Sequence, residues 1–131
     1  MVIVAGAVVT GTGPHGGDQN VRRLGFAITT VARVHGVSEL VLLSLTVLVA
    51  WVARRERSPA AVLEAISTLL MVEVAQALVG YVQYLTGVPE ALVAIHVLGA
   101  VLVWIAVLRV ALVASAPNSE RDPALVAVTT S

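Results

Sequence analysis

The chain has 131 residues, 58% of them hydrophobic and only 12% charged, with eight arginines, no lysine, eight acidic residues and a formal net charge of zero. An ordinary soluble domain is about 25% charged, and so few charges cannot coat a globule this small, whose surface is large relative to its volume; a soluble enzyme is excluded. The neutral balance removes the basic face that nucleic-acid binding requires, and the absence of cysteine removes disulfides, zinc-thiolate sites, iron–sulfur clusters and covalently attached c-type haem.

The chain reads as all-α: an integral membrane helical bundle with three full transmembrane helices plus the end of a fourth, in contact with membrane lipid. Residues 1–10 are as apolar as a span but about half the length that crosses hydrocarbon. No basic residue precedes them, so they are not a signal peptide. They read as the outer end of a helix whose beginning is missing, and a truncated chain or a miscalled start is expected. A glycine-dense stretch from Thr10 to Asp18 follows. It has no strand before it and no P-loop pattern, so it reads as an irregular turn at the membrane surface, with His15 as a surface residue.

Charges then mark the spans, because an unpaired charge in hydrocarbon is costly. The first full span is expected over 28–53, ending at the cluster Arg54, Arg55, Glu56, Arg57. Pro59 suits the first turn of the next span, 60–85, where a missing N–H costs little. Pro89 opens the third, 89–113, which carries no formal charge between Glu90 and Arg109. The bundle is thus read as one unit over 1–114, followed by a polar tail over 115–131. Arg54, Arg55, Arg57, Arg109 and Arg121 outnumber Arg22, Arg23 and Arg33, which puts the 54–59 loop and the tail in the cytoplasm.

Two histidines stand at matched depth. His35 lies seven residues beyond Ile28 and His96 seven beyond Pro89, each about 10 Å along its helix at 1.5 Å per residue. One span separates the two helices, so both run in the same direction and the imidazoles can meet in the outer half of the bilayer. Facing histidines at one level can supply both axial positions of a haem iron, and bundle interiors hold such cofactors. Gly36, Ser38, Gly99 and Ala100 are small neighbours that leave room for a macrocycle or simply permit close helix packing.

The middle span carries a stripe, Glu73, Gln76, Gly80 and Gln83, spaced by three and four. It must face inward, since amides facing lipid would be unsatisfied; it lines a pocket or a proton path, or makes interhelical hydrogen bonds. Glu39 shares a face with His35 and lies deeper, suited to orienting an imidazole, carrying a proton or pairing with another helix. Arg22, Arg23 and Arg33 are placed to pair with haem propionates or to snorkel to the interface.

The string Val9-Thr10-Gly11-Thr12-Gly13-Pro14-His15-Gly16-Gly17-Asp18, followed by Arg23-Leu24-Gly25-Phe26, resembles the C-terminal half of bacterial heme A synthases of the actinobacterial type. Gln76 through Glu90 is similar to that family's penultimate helix and loop, and Ala91 through Ala100, with His96, to its last helix. The resemblance covers about residues 1–114. It implies a membrane protein of two four-helix halves that oxidises the C8 methyl group of heme O to a formyl group, making heme A for cytochrome oxidase. It implies further that this half binds haem b through the iron ligands His35 and His96 and relays electrons to a substrate haem in the other half. The chain departs from the family in lacking the cysteine pair of some relatives and the whole substrate half. No catalytic residue carries over, and the expected partner is the missing N-terminal half or another copy. Two other readings stand beside this one: a small b-type cytochrome subunit for electron transfer, and a non-functional fragment.

Overall fold

The computed structural model describes residues 1–13 and 22–116. His15 and the tail from residue 117 onward lie outside the described residues. Four helices form: α1 (Val2–Thr12), α2 (Ile28–Arg55), α3 (Ala60–Leu85) and α4 (Glu90–Ser115), with no strand among the described residues. The last three have 28, 26 and 26 residues and are apolar enough to cross a membrane. The chain is a multi-pass membrane protein. At 1.5 Å per residue they measure about 40 Å, whereas the 11 residues of α1 reach only about 16 Å.

The observed helices run one or two residues past the expected ends at Arg55 and Ser115. Pro59 and Pro89 occupy the N-cap rather than the first turn. There the Pro59 carbonyl accepts bonds from the Val62 and Leu63 amides, and the Pro89 carbonyl accepts one from Val93. The extended ψ of a proline N-cap, 146° at Pro59 and 138° at Pro89, turns the chain sharply out of the preceding loop.

The two loops that join the long helices close with the same device. Arg57 has φ 55° and Gly87 has φ 78°. Behind them the Ser58 amide donates to the Ala53 carbonyl at 2.9 Å, and the Val88 amide donates to Gln83 at 2.8 Å. These six-to-one bonds are the signature of a left-handed helix stop, which glycine adopts freely and arginine does not. Val88 adds a third left-handed residue, φ 63°, unfavourable for a β-branched side chain.

Each long helix directs one stripe, spaced by three and four, toward its neighbours. On α2 it runs His35, Glu39, Leu42, Thr46, Ala50, Ala53; on α3 Ile66, Leu69, Glu73, Gln76, Gly80, Gln83; on α4 His96, Gly99, Val103, Ala106, Val110. This is the knobs-into-holes spacing of antiparallel bundles. At the end remote from the histidines, Ala50, Ala53 and Ile66 form one apolar cluster and Leu69, Val103 and Ala106 another. Alanines there let backbones approach, which is what holds helices together when lipid removes the hydrophobic driving force. The outward faces carry Leu40, Leu78, Leu98 and Leu112, each more than 60% exposed, as hydrocarbon contact requires.

Hydroxyls on these helices are satisfied internally. Ser38, Ser44, Ser67 and Thr68 each donate to the carbonyl four residues back, at 2.7–2.9 Å, so they meet lipid at little cost. At the α2 terminus the Arg55 guanidinium lies 5.3 Å from the centre of the Trp51 ring, an amphipathic pair of the kind that marks a membrane interface.

Arg57→Gly is expected to raise stability by about 1 kcal/mol, because it removes a left-handed arginine. Gly87→Ala is expected to lower it by a similar amount. Thermal unfolding of the detergent-solubilised variants measures both, and equal melting temperatures for the two would contradict the assignment.

Candidate functional site

The end of the bundle remote from the alanine clusters collects the polar part of every stripe. His35 from α2 and His96 from α4 come together, with ring centroids 6.2 Å apart and planes at 84°. Both rings are partly buried, and each Nδ1 is enclosed without a hydrogen-bond partner.

Each ring is seated on a glycine of the helix that precedes its own. A Cβ added at Gly6 of α1 would lie 3.2 Å from His35 Cε1, and one at Gly80 of α3 would lie 3.0 Å from His96 Cε1. Any larger residue would push the imidazole aside. Gly6 is followed by Gly13 and Gly80 by Gly87, seven residues on in both cases and each after a threonine. The two helix pairs therefore present the same notch, seven residues before a second glycine.

Sequence reasoning singled out His35, His96 and the α3 stripe, and the structure places them in one interior. It missed Gly6, and it assigned no partner to Gly80; the Gly-x6-Gly repeat was the signal available. Gly36, expected to make room beside His35, is exposed, and a Cβ there meets nothing within 4 Å. It neighbours the histidine in sequence but lies about 100° around the helix. Gly99 acts at one remove: its missing Cβ is the space filled by the Gln76 amide. From there Gln76 Nε2 donates to the His96 carbonyl at 2.8 Å, fixing the height of α4 against α3.

One step further inward, Glu73 is fully buried, 0% exposed. Its Oε1 accepts a bond at 3.0 Å from Thr46 Oγ1, a hydroxyl shared with the Leu42 carbonyl at 3.1 Å. Its Oε2 has no partner, nor do the buried Oε1 atoms of Glu39 and Gln83. Glu39 lies within electrostatic reach of Glu73. Among the described residues the arginines stand elsewhere: Arg109 pairs with Glu64 at 3.3 Å across an exposed surface, Arg22 and Arg33 are exposed, and Arg23 is half-buried near the outer end of α1.

Five buried polar atoms without partners, on three helices in one interior, is a high count for a small bundle, since native structures pair nearly all such groups. No cluster of three or more His, Cys, Asp or Glu side chains able to hold a metal ion occurs among the described residues. The donor set is the imidazole pair. A groove of about 350 Å³ on α2, lined by Val37, Leu40, Val41, Ser44, Leu45 and Leu48, lies on the face turned away from His35 and Thr46 and belongs to the lipid side.

Comparison of the chain with protein-family models, with curated proteins and with solved structures finds no match.

Gly99→Ala is expected to displace the Gln76 amide and cost about 2 kcal/mol, from the lost bond and local overpacking. Gly36→Ala, with open space around it, is expected to be neutral or slightly stabilising, because alanine favours helix. Unfolding midpoints of the two variants in the same detergent give the comparison, and equal values would refute the Gln76–Gly99 contact.

Proposed function

We propose that the chain is the haem b-binding half of a heme A synthase-type enzyme, with His35 and His96 as the two axial ligands of the haem iron. One observation carries the ligand assignment: the 6.2 Å separation of two imidazoles from different spans inside the bundle. A metal–imidazole bond is about 2 Å and the ring centre lies about 1 Å behind its nitrogen, so two imidazoles that would hold one metal have centres no more than about 6 Å apart, a spacing the pair meets. The residues present therefore fit the group. The enclosed Nδ1 atoms add support, since a ligating histidine uses one ring nitrogen for metal and leaves the other to its surroundings.

Bound there, haem b supplies one-electron transfer at a potential set by its axial ligands and the dryness of the site. The chain's own residues make that site. Gly6 and Gly80 give the imidazoles room, and Gln76 holds the His96 segment at a fixed height. The leucine and valine faces exclude water from the interior.

The enzyme assignment rests on the resemblance of the 9–18, 23–26 and 76–100 segments. In that assignment the methyl group of heme O is oxidised in the family's N-terminal half, the part described here relays electrons to it, and none of its residues is catalytic. The 54–59 loop and the tail then face the cytoplasm of a cell membrane, as the arginine bias implies. A small b-type cytochrome is the second reading, favoured by the fact that both proposed ligands come from this one chain.

Purified full-length protein supplied with haem is expected to show a six-coordinate, low-spin b-type spectrum. His35→Ala and His96→Ala are each expected to lose it, and single variants with an unchanged spectrum would refute the ligand pair. Co-expression with a separate heme A synthase N-terminal half decides between the readings: heme A accumulates for the enzyme half and does not for an electron-carrying subunit.

A further inference from the structure

The histidine pair accounts for two of the five partnerless buried atoms; two more are carboxylate oxygens. Glu73 has no exposed surface, one oxygen held by Thr46 and the other facing the interior unpaired. Glu39, one turn inward of His35 on the same face of α2, buries an oxygen in the same state. Neither carboxyl forms an ion pair with a described residue.

The groups that face this pair can be named helix by helix. On α2 they are His35 and the Thr46 hydroxyl, on α3 Gln76 and Gln83, and on α4 His96; the Val2–Thr12 sequence of α1 has no titratable side chain. The nearest opposite charge along α4, Arg109, is committed to Glu64 at the far end. Among the described residues no side-chain cation stands beside them, so a carboxylate charge on the pair has only a proton to balance it, and two interacting carboxyls titrate as a unit.

We propose that Glu73 and Glu39 form a proton-binding site whose occupancy is tied to the oxidation state of the metal held between His35 and His96. The proposal rests on the haem reading above. When a one-electron donor takes a bound iron from ferric to ferrous, one proton from the aqueous phase would add to a carboxylate oxygen of the Glu39–Glu73 pair, so that the interior would gain no net charge. The physical ground is the magnitude of an uncompensated charge there: a unit charge moved within several ångströms of another interacts by several kcal/mol at the effective dielectric of a protein interior, about 20. A proton taken up nearby cancels that cost.

The test is a redox titration of the haem-loaded full chain in detergent, with dithionite as reductant, at several pH values. The midpoint potential is expected to fall with rising pH, with a slope approaching about 59 mV per tenfold change in proton concentration, the value for one proton per electron. Glu73→Gln keeps the size and the Thr46 contact, and Glu39→Gln keeps the size at the second carboxyl. At least one is expected to halve the slope or more while leaving the low-spin spectrum intact, and reduced-minus-oxidised infrared spectra are expected to lose a carboxyl band in the same variant. A pH-independent potential in the parent protein would overturn the proposal, as would a slope unchanged in both variants and in the double variant. Those failures come with a normal haem spectrum; failure of the haem reading shows instead as no spectrum at all, and it takes this proposal with it.

Discussion

Hydrocarbon gives no partner to an amide, an imidazole or a carboxyl, and the whole architecture follows from where these groups are sent. Every long helix gathers its buried polar side chains on one stripe spaced by three and four, so burying the stripes against each other builds the bundle and the polar interior in one step. The stripes are not uniform along their length. Toward one end they hold Ala50, Ala53, Ala65 and Ala106, all nearly inaccessible, and toward the other they hold histidine, glutamate and glutamine. The alanine end brings backbones together; the polar end fills its width with long side chains. The position of the site along the membrane normal is thus set by where the alanines stop.

Glycine placement turns that polar end into a site with defined geometry. Gly6, Gly80 and Gly99 each stand opposite a functional group on a neighbouring helix, where a Cβ would collide with His35, His96 or Gln76 respectively. If the small residues served helix packing alone, their missing side chains would be filled by backbone or aliphatic neighbours. Here they are filled by two imidazoles and an amide. The same interior leaves five polar atoms unpaired, and packing offers no reason to retain groups whose burial costs about 1–3 kcal/mol each when unsatisfied.

Much of this was legible in the sequence because charge and hydropathy act locally. Arg54 to Arg57 and Pro59, then Gly87 and Pro89, mark the ends of spans within two residues of where α2, α3 and α4 begin and stop. The levelling of His35 and His96 needed only the rise per residue and the parity of spans. What was hidden depends on lateral register between helices. Nothing near His35 in sequence points to Gly6, which reaches it only because α1 folds back on α2 with its own turn as the fixed point. Gly36 misled for the complementary reason: adjacency in the chain is a large rotation around a helix. The shared Gly-x6-Gly pattern carries the missing information, since it counts back from a turn whose position is already known.

The two halves of the histidine pair are unequally supported, and that asymmetry bears on how the site works. His96 belongs to the α3–α4 hairpin, the most extensively packed pair in the bundle, and its own carbonyl is tied to Gln76 across the Gly99 notch. His35 rests on α1, 11 residues long and packed on α2, where its ring meets the backbone of Val2. Local stability follows contact density and buried hydrogen bonding. The His96 segment is therefore tied by a side-chain hydrogen bond and the densest helix packing, and the His35 segment by the short helix α1. Movement of α1 against α2 would shift the His35 ring without unpacking the alanine clusters that join α2, α3 and α4.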